Sequence, residues 1–322
     1  MDTKVSIVIC TYNRALLLDK LLQSLVHQEF EGEHEIIIVD NNSTDETKVV
    51  AEKWMPLAGP KCPIQYMFVA KQGLSYAKNV GVDAADGDVV AFIDDDAIAE
   101  KKWLQRIIDN FADPETVSLG GKVIPAWSEP PPDWLLTPEL WPAIGGSNYG
   151  EVHRIMTGKM CPLGGNMAIR RSWCQAIGGF NPQFGKVGRN MVSFEEVEFA
   201  DRLRRRGGKM VYDPQMIIYH YVPKERMTKD YVARRRYWDG RSFSAFERTR
   251  GGWFRQWVIG LLIIILNVSR DLPGLLINSI IGNRSCVFIY FCRLKRAQGY
   301  INEMWKGLIS NIRGRSGAGG ET

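Results

Sequence analysis

The sequence predicts an α/β protein with a mostly parallel sheet flanked by helices, followed by a basic, apolar helical extension. In the first 120 of the 322 residues, short apolar runs alternate with segments whose apolar residues recur at helical spacing. The runs are predominantly apolar without a polar–apolar alternation, which is typical of strands buried on both faces of a sheet. Polar clusters follow three of these runs, at the strand ends where such sheets bind ligands.

The individual elements follow from these periods and from the turn residues between them. We predict strands at Val5–Cys10, Glu35–Asp40, Ile64–Val69 and Val89–Ile93, and helices at Ala15–Leu25, Thr44–Trp54, Leu74–Ala84 and Lys101–Phe111. Residues 125–160 are rich in proline and lack periodicity, so we expect a long, ordered loop there. A helix at Phe194–Arg206 and a strand at Lys209–Tyr219 are predicted beyond it.

Three consecutive aspartates, Asp94–Asp96, directly follow the apolar run Val89–Ile93. Such a cluster of like charges is tolerable when a cation lies between the carboxylates, and hard oxygen ligands suit Mg²⁺ or Mn²⁺. The alternative is a solvated acidic loop that caps the next helix. The turn Cys10–Arg14 lacks glycine and no P-loop is present, so a glycine cradle for phosphate is not predicted. A phosphate would therefore be held through the metal.

Charge is distributed unevenly along the chain. The net charge is +5, but residues 201–322 contain 23 Lys and Arg against 9 Asp and Glu. A basic half indicates an anionic partner. Because no nucleic-acid module signature is present, we expect an anionic membrane surface and no nucleic acid.

The C-terminal part contains apolar segments at Trp257–Val268, Leu272–Ile281 and Cys286–Phe291, edged by arginine and lysine. The longest unbroken run has about 12 residues, whereas a spanning helix needs roughly 20, so we expect these segments to lie at a membrane interface. A small helical subdomain or a contact in a homo-oligomer is the alternative. The scattered cysteines form no CxxC pair, and the N-terminus lacks signal-peptide features, so we expect reduced thiols and a cytoplasmic protein.

An ordered set of motifs over about residues 4–221 resembles glycosyltransferase family 2, which has the GT-A fold. The motifs are Ser6–Arg14, Ile38–Asp45, Gly73–Gly81, Phe92–Asp96, Leu163–Ala168, Phe194–Phe199 and Tyr219–His220. The resemblance implies a GT-A domain at 1–222, with a nucleotide-binding half at about 1–122 and an acceptor half at about 123–222. A helical membrane-associating or oligomerising region would follow at 223–313, with a disordered tail at 314–322.

The same resemblance assigns residues to the donor and the metal. It implies that Tyr12 flanks the nucleobase, that Asp40 accepts a hydrogen bond from the base, and that Asp94 binds the ribose. Tyr12 as a packed aromatic, Asp40 in an Asx turn and Arg14 within a helical first turn are the alternatives. The residues implied to bind the donor nucleotide are Thr11, Tyr12, Arg14, Asp40, Asn42, Lys78, Asp94 and Asp95. The residues implied to hold Mn²⁺ or Mg²⁺ are Asp96, Asp94 and His220.

Catalysis is implied to depend on Glu195 and Glu196, where relatives usually have Glu-Asp. The second acid, Glu196, is the expected general base. The alternative is a capping box in which Ser193 and Glu196 begin a helix and Glu195 is the base. Gly164, Gly165 and Asn166 are implied to bring the backbone close to the donor sugar and the acceptor, and the alternative is a plain turn before a strand at Met167–Arg170. Trp127 and Trp134 would stack on sugars or would instead anchor their loop.

The resemblance implies an inverting, metal-dependent transferase that moves a sugar from a nucleotide-diphosphate donor, with UDP-sugar expected. The acceptor would be a hydroxyl of a lipid-linked or growing cell-surface polysaccharide, at the inner face of the cell membrane. The alternatives are a polyprenyl-phosphate sugar transferase of the same fold and a non-catalytic nucleotide-sugar-binding or scaffold subunit.

Overall fold

The structure is a computed structural model that describes residues 3–147, 149–188 and 190–317, with side chains described as far as residue 308. The chain forms two compact units. The first contains the residues up to Ser128, together with Gly145–Asn190 and Glu195–Val222. The second contains Glu129–Ile144, Met191–Phe194 and the residues from Pro223 onward.

The first unit begins with the predicted alternation of strands and helices. Its strands are β1 (Val5–Thr11), β2 (His34–Asp40), β3 (Ile64–Phe68), β4 (Val89–Ile93), β5 (Ala97–Ala99), β6 (Thr116–Trp127), β7 (Arg154–Ile155), β8 (Asn166–Arg170) and β9 (Lys209–Val222). Its helices are α1 (Ala15–Val26), α2 (Thr47–Trp54), α3 (Leu74–Ala84), α4 (Trp103–Phe111), α5 (Arg171–Ala176) and α6 (Glu195–Arg205).

The strands form one mixed sheet in the order β3-β2-β1-β4-β8-β6-β9-β5, with β7 paired to β9. The half containing β1 to β4 is parallel, as predicted. The other half is mixed, because β8 runs antiparallel to both β4 and β6. Apolar side chains cover both faces: Ile7 and Ile9 pack in one core cluster, whereas Val8 packs in the other.

The predicted loop at 125–160 is corrected in part by the structure. Strand β6 continues to Trp127, because residues Lys122–Trp127 pair with Ile217–Val222 of β9. Short 3₁₀ helices follow at Asp133–Leu136 and Pro138–Ile144, in the second unit. The pairing partner of β6 lies far along the sequence, so local periodicity could not indicate this strand.

The second unit is built around three helices, α7 (Lys229–Leu266), α8 (Leu272–Ile281) and α9 (Arg284–Gly317). Helix α7 is kinked at Gly251 and Gly252, whose backbone angles are not helical. Helices α7 and α9 approach closely, since a Cβ atom on Gly240 or Gly299 would overlap a backbone carbonyl of the facing helix. Of the predicted tail, residues 314–317 continue α9, and 318–322 lie outside the described residues.

The apolar segments of α7 and α8, each too short to cross a membrane singly, form one helical stretch. A π-helical turn at Asn267–Asp271 joins the two helices, and Asn267 and Ser269 bond to carbonyls of the preceding turn. These polar residues therefore interrupt the apolar run without ending the helix. In the described residues, Lys229–Ile281 is the one segment long and apolar enough for a span, with a window of mean hydropathy 1.7 that is 11% buried.

Candidate active site

The carboxyl ends of β1, β2 and β4 bring the predicted donor-binding residues to one edge of the sheet. Thr11 and Asp40 are paired across β1 and β2, at the last position of each strand. The aspartate triplet follows β4, which lies on the other side of β1. Parallel pairing therefore places these polar ends side by side, as the sequence predicts.

The Asp40 carboxylate, predicted to contact the nucleobase, is buried and bonds to the loop after β2 and to β3. Its Oδ1 accepts a hydrogen bond from the Ser43 backbone at 2.8 Å, and its Oδ2 accepts one from the Tyr66 hydroxyl at 2.7 Å. The Asx turn considered as an alternative is therefore present. Tyr12 directly follows Thr11, the residue paired with Asp40, and its ring is exposed. Asn42 has a left-handed backbone (φ 74°), which shapes the turn after β2.

The loops after β1 and β2 are tied together by Asn13. Its side-chain oxygen accepts a hydrogen bond from the Thr44 backbone at 2.7 Å, and its own N–H donates to Ser43 Oγ at 2.9 Å. Asn13 also has a positive φ of 52°, a conformation that asparagine tolerates better than most residues. The sequence reasoning missed this bridge, although the polar run at the strand end is the signal for it.

Asp94, Asp96 and His220 form the candidate metal centre. One ligand atom from each lies within 4.8 Å of the others. Strand β5 brings them together, because Ala97 pairs with His220 in β9 and Tyr221 donates a backbone hydrogen bond to Asp96 at 2.8 Å. Gly145, missed by sequence reasoning, packs on the His220 ring, where a Cβ atom would lie 2.7 Å away.

These three residues fit a divalent ion. His220 is 4% exposed, and its Nδ1 has no hydrogen-bond partner in the part of the chain that the structure describes. The other ring nitrogen, Nε2, lies 3.2 Å from Asp96 Oδ1, so the imidazole presents a possible metal ligand to the carboxylates. A mixed nitrogen and oxygen donor set suits Mn²⁺ better than Mg²⁺, which prefers oxygen alone.

Arg14 also contacts the acidic triplet. Its Nη1 donates to Asp95 Oδ1 at 2.6 Å and to Asp96 Oδ2 at 2.7 Å. Burial raises the pKa of Asp95 to about 6, although the Arg14 charge opposes this shift. Arg14 precedes α1 as its N-cap residue, and its side chain therefore bridges the ends of β1 and β4.

The two glutamates at the start of α6 have different surroundings. Glu195 is buried 3.5 Å from the Lys78 ammonium, which lies over the Phe180 ring. Burial alone would raise the pKa of Glu195, but the charge of Lys78 and a hydrogen bond from Glu196 lower it below its usual value. Burial, and then the negative charge of Glu195, raises the pKa of Glu196 to about 8.

Of the two glutamates, Glu196 is therefore the one whose pKa is raised toward neutral pH. Its Oε2 is buried and has no hydrogen-bond partner among the described residues. The predicted alternative, a capping box, has no support, because Ser193 Oγ also has no partner there and α6 begins at Glu195. Phe194 enters the helix with a left-handed backbone of φ 79°.

The backbone at Gly164 and Gly165 lies close to Lys78 and Asp94. A Cβ atom on Gly165 would overlap the Asp94 carboxylate, and one on Gly164 would lie 2.6 Å from Lys78 Nζ. The two glycines therefore allow the backbone to approach the Asp94 carboxylate and the Lys78 ammonium. Their role at the donor sugar and the acceptor stays a prediction.

Comparison with known proteins assigns the fold and the family. Residues 6–178 match the profile described as glycosyl transferase family 2. This chain belongs to that family. It is 27% identical over 243 residues to the glucosyl-dolichyl phosphate glucuronosyltransferase of Haloferax volcanii, which covers 74% of this chain and 76% of that protein. It is 24% identical over 262 residues to the succinoglycan biosynthesis protein ExoM of Rhizobium meliloti, 80% of each chain.

The fold of this glycosyltransferase is of the GT-A type. A similar solved structure is the mannosyltransferase PcManGT from Pyrobaculum calidifontis, in complex with GDP-Man and Mn²⁺. The match has a TM-score of 0.65 and 16% identity, and it covers 95% of this chain and 88% of that one. At this identity the likeness supports the fold alone.

Some residues predicted from sequence have other surroundings in the glycosyltransferase. Asn166 is fully buried: its amide donates to the carbonyls of Lys122 and Met216, and its oxygen accepts from the Trp103 indole at 2.8 Å. Its side chain therefore joins β8 to β6 and β9 in the core, and only the backbone of Asn166 remains a candidate for the predicted approach to the sugar. The ammonium of Lys78, a residue predicted to bind the donor, lies beside Glu195.

The two predicted sugar-stacking tryptophans belong to different units. Trp127 ends β6 in the first unit and is partly buried. Trp134, in the second unit, packs edge-on against Phe288 at 5.0 Å, with Lys229 over its ring. These contacts favour an anchoring role for Trp134.

Proposed function

We propose that this glycosyltransferase transfers a sugar, with inversion and with the help of a divalent metal, from a nucleoside-diphosphate donor to a hydroxyl group of a lipid-linked or cell-surface polysaccharide acceptor. The observation that carries the proposal is the joint presence, in one compact unit, of the triad Asp94, Asp96 and His220 and of a carboxyl group with a raised pKa, Glu196. The first is suited to a diphosphate held through a metal, and the second to a general base.

Three sets of residues have separate roles in the proposed reaction. Asp94, Asp96 and His220 would hold the metal, which when bound supplies positive charge to the diphosphate leaving group. Tyr12 and Asp40 position the nucleoside at the ends of β1 and β2. Glu196 in its ionised form accepts the proton of the acceptor hydroxyl group as that oxygen attacks the anomeric carbon, and a single base of this kind implies inversion.

Contact with Lys78 distinguishes Glu195 from Glu196, the proposed general base. Its ammonium keeps Glu195 ionised, so Glu195 is a permanent partner of Lys78 rather than a proton acceptor. The charge of Glu195 then raises the pKa of its neighbour Glu196. A base with a pKa near the working pH combines adequate ionisation with basicity.

The nature of the acceptor is supported by the named relatives and by the second unit. The Haloferax volcanii relative is named for a glucosyl-dolichyl phosphate and the Rhizobium meliloti relative for succinoglycan biosynthesis. The second unit exposes large apolar side chains on α7 and α8, among them Leu261, Leu276, Ile280 and Ile281. Exposed apolar helices beside many cations suit insertion into an anionic membrane surface, where a lipid-linked acceptor resides. We place the enzyme at the cytoplasmic face.

Donor hydrolysis and transfer with Mn²⁺ test the catalytic proposal. A panel containing UDP-sugars and GDP-sugars is needed, because UDP is the expected nucleotide and the similar solved structure contains GDP-Man. Replacing Asp96 by Asn is expected to lower turnover by about 10²-fold or more, since it weakens the binding of the metal whose positive charge would stabilise the diphosphate leaving group. Asp109→Asn, an exposed carboxylate of α4, is the matched control. Full activity of Asp96→Asn, or of the wild type in EDTA, would contradict the metal role.

Flotation with anionic liposomes tests the membrane proposal. The change Ile280→Asp is expected to weaken binding, because this side chain is 87% exposed on α8. Leu16→Asp is the control, since Leu16 is 84% exposed on α1 of the first unit. Equal flotation of both variants and the wild type would argue against insertion through α8.

A further inference from the structure

The Arg14 side chain places a positive charge on the carboxylates that are proposed to hold the metal. One guanidinium nitrogen bridges Asp95 and Asp96 at 2.6 and 2.7 Å. Both carboxylates are almost completely buried, and the Arg14 side chain is 32% exposed. The acidic triplet thus has a counter-cation from its own chain, more than 80 residues away in sequence.

Both oxygens of Asp96 are engaged. Oδ2 accepts from Arg14, and Oδ1 lies 3.2 Å from His220 Nε2. A divalent ion that takes Asp96 and His220 as ligands replaces one or both of these contacts, and it is repelled by a guanidinium this close. Arg14 and the metal therefore compete for the same carboxylate.

The diphosphate of the donor is the natural destination of a displaced Arg14. The residue lies two positions after Tyr12, the predicted nucleobase contact, and its guanidinium reaches the triplet, so it lies between the nucleoside and metal subsites. A guanidinium offers a fork of donors that matches phosphate oxygens. Its partly exposed position gives it room to turn outward.

We propose that Arg14 competes with the divalent ion for Asp96. When the donor binds, Arg14 moves from Asp95 and Asp96 to the diphosphate, and the ion can then bind Asp96. This inference rests on the proposed function. Its consequence is cooperativity: the metal binds weakly alone and tightly with the nucleotide, because the nucleotide removes the competitor. By linkage, the metal strengthens nucleotide binding by the same factor. Arg14 is then a positioning residue that disfavours binding of the metal before the nucleotide.

The test measures Mn²⁺ binding directly, through the electron paramagnetic resonance signal of free Mn²⁺, with the full chain and without turnover. Without nucleotide, Arg14→Gln is expected to bind Mn²⁺ about tenfold more tightly than the wild type, within the usual range of coupling between sites. Arg14→Lys, whose ammonium lacks the guanidinium fork, is expected to lie between them. Adding UDP or GDP is expected to tighten Mn²⁺ binding by about tenfold in the wild type and much less in Arg14→Gln.

Lys20→Gln is the matched control, because it removes one exposed positive charge from α1 without touching the triplet. It is expected to bind Mn²⁺ as the wild type does, so a general change in charge cannot imitate the effect. If the Arg14 variants bind Mn²⁺ no more tightly than the wild type without nucleotide, Arg14 is a static bridge and the inference is wrong, while the proposed function stands. If no protein binds Mn²⁺ even with nucleotide, the metal role and this inference both fail.

Discussion

Replacing Glu196 by Gln separates the catalytic role of this carboxyl group from its effect on stability. The pKa of Glu196 is raised from 4.5 to about 8 by burial and by Glu195. Each unit of such a shift corresponds to about 1.36 kcal/mol. The ionised group would then destabilise the folded state by at most about 5 kcal/mol, and because Glu196 is partly exposed we expect about 2–3 kcal/mol.

The sign of the effect depends on pH. Below pH 4.5 the group is protonated in both the folded and the unfolded chain, so it costs nothing. As the pH rises toward about 8, the unfolded chain ionises freely and the folded chain resists, so the stability of the wild type falls. Glutamine carries no charge at any pH and escapes this loss. We therefore expect Glu196→Gln to be more stable than the wild type by about 2–3 kcal/mol at pH 8.5 and by less than about 1 kcal/mol at pH 5.5.

Denaturant unfolding at the two pH values, followed by tryptophan fluorescence in mild detergent, measures this difference. The matched control is Glu198→Gln on the same helix, which loses an ion pair with Arg202 of 2.8 Å and is expected to be destabilised at both pH values. The reasoning is refuted if Glu196→Gln changes the stability equally at pH 5.5 and 8.5. In the same variant, transfer is expected to fall by about 10²–10⁴-fold. Undiminished transfer would favour a phosphate acceptor, which needs no strong base, and thus a polyprenyl-phosphate sugar transferase.

Three further predictions follow from the contacts of the site. Asn166→Ala removes the hydrogen bonds of this side chain to the Trp103 indole and to two backbone carbonyls, so we expect the free energy of unfolding to fall by about 3–5 kcal/mol, measured by denaturant unfolding. A loss under about 1 kcal/mol would contradict the structural role of this side chain. Lys78→Met removes the charge that lowers the pKa values of both glutamates, so the acid limb of the pH–rate profile is expected to move to higher pH, whereas Lys78→Arg retains the wild-type limb. Gly165→Ala is expected to weaken Mn²⁺ binding while circular dichroism stays unchanged, because its Cβ overlaps the Asp94 carboxylate; wild-type Mn²⁺ affinity would contradict this.

The sequence by itself determined the parallel half of the sheet and the place of the acidic triplet. Helix α3 and strand β4 have the predicted bounds, and the other early elements differ by one to three residues at their ends. These elements depend on local periodicity and on turn residues, which the sequence displays directly. The triplet is visible because it follows an apolar strand, and parallel strands end at one edge of the sheet.

Only the tertiary structure decided which charged groups meet. Arg14 reaches Asp95 and Asp96, Lys78 pairs with Glu195, and His220 lies beside Asp96 through pairing of strands that are distant in sequence. Strand β6 and the burial of Asn166 depend on the same long-range pairing. Periodicity reports which face of an element is apolar, but not the distant element that packs on it. The electrostatic contrast between Glu195 and Glu196 arises from such a distant neighbour, so adjacent and similar residues acquire different chemistry only in the folded chain.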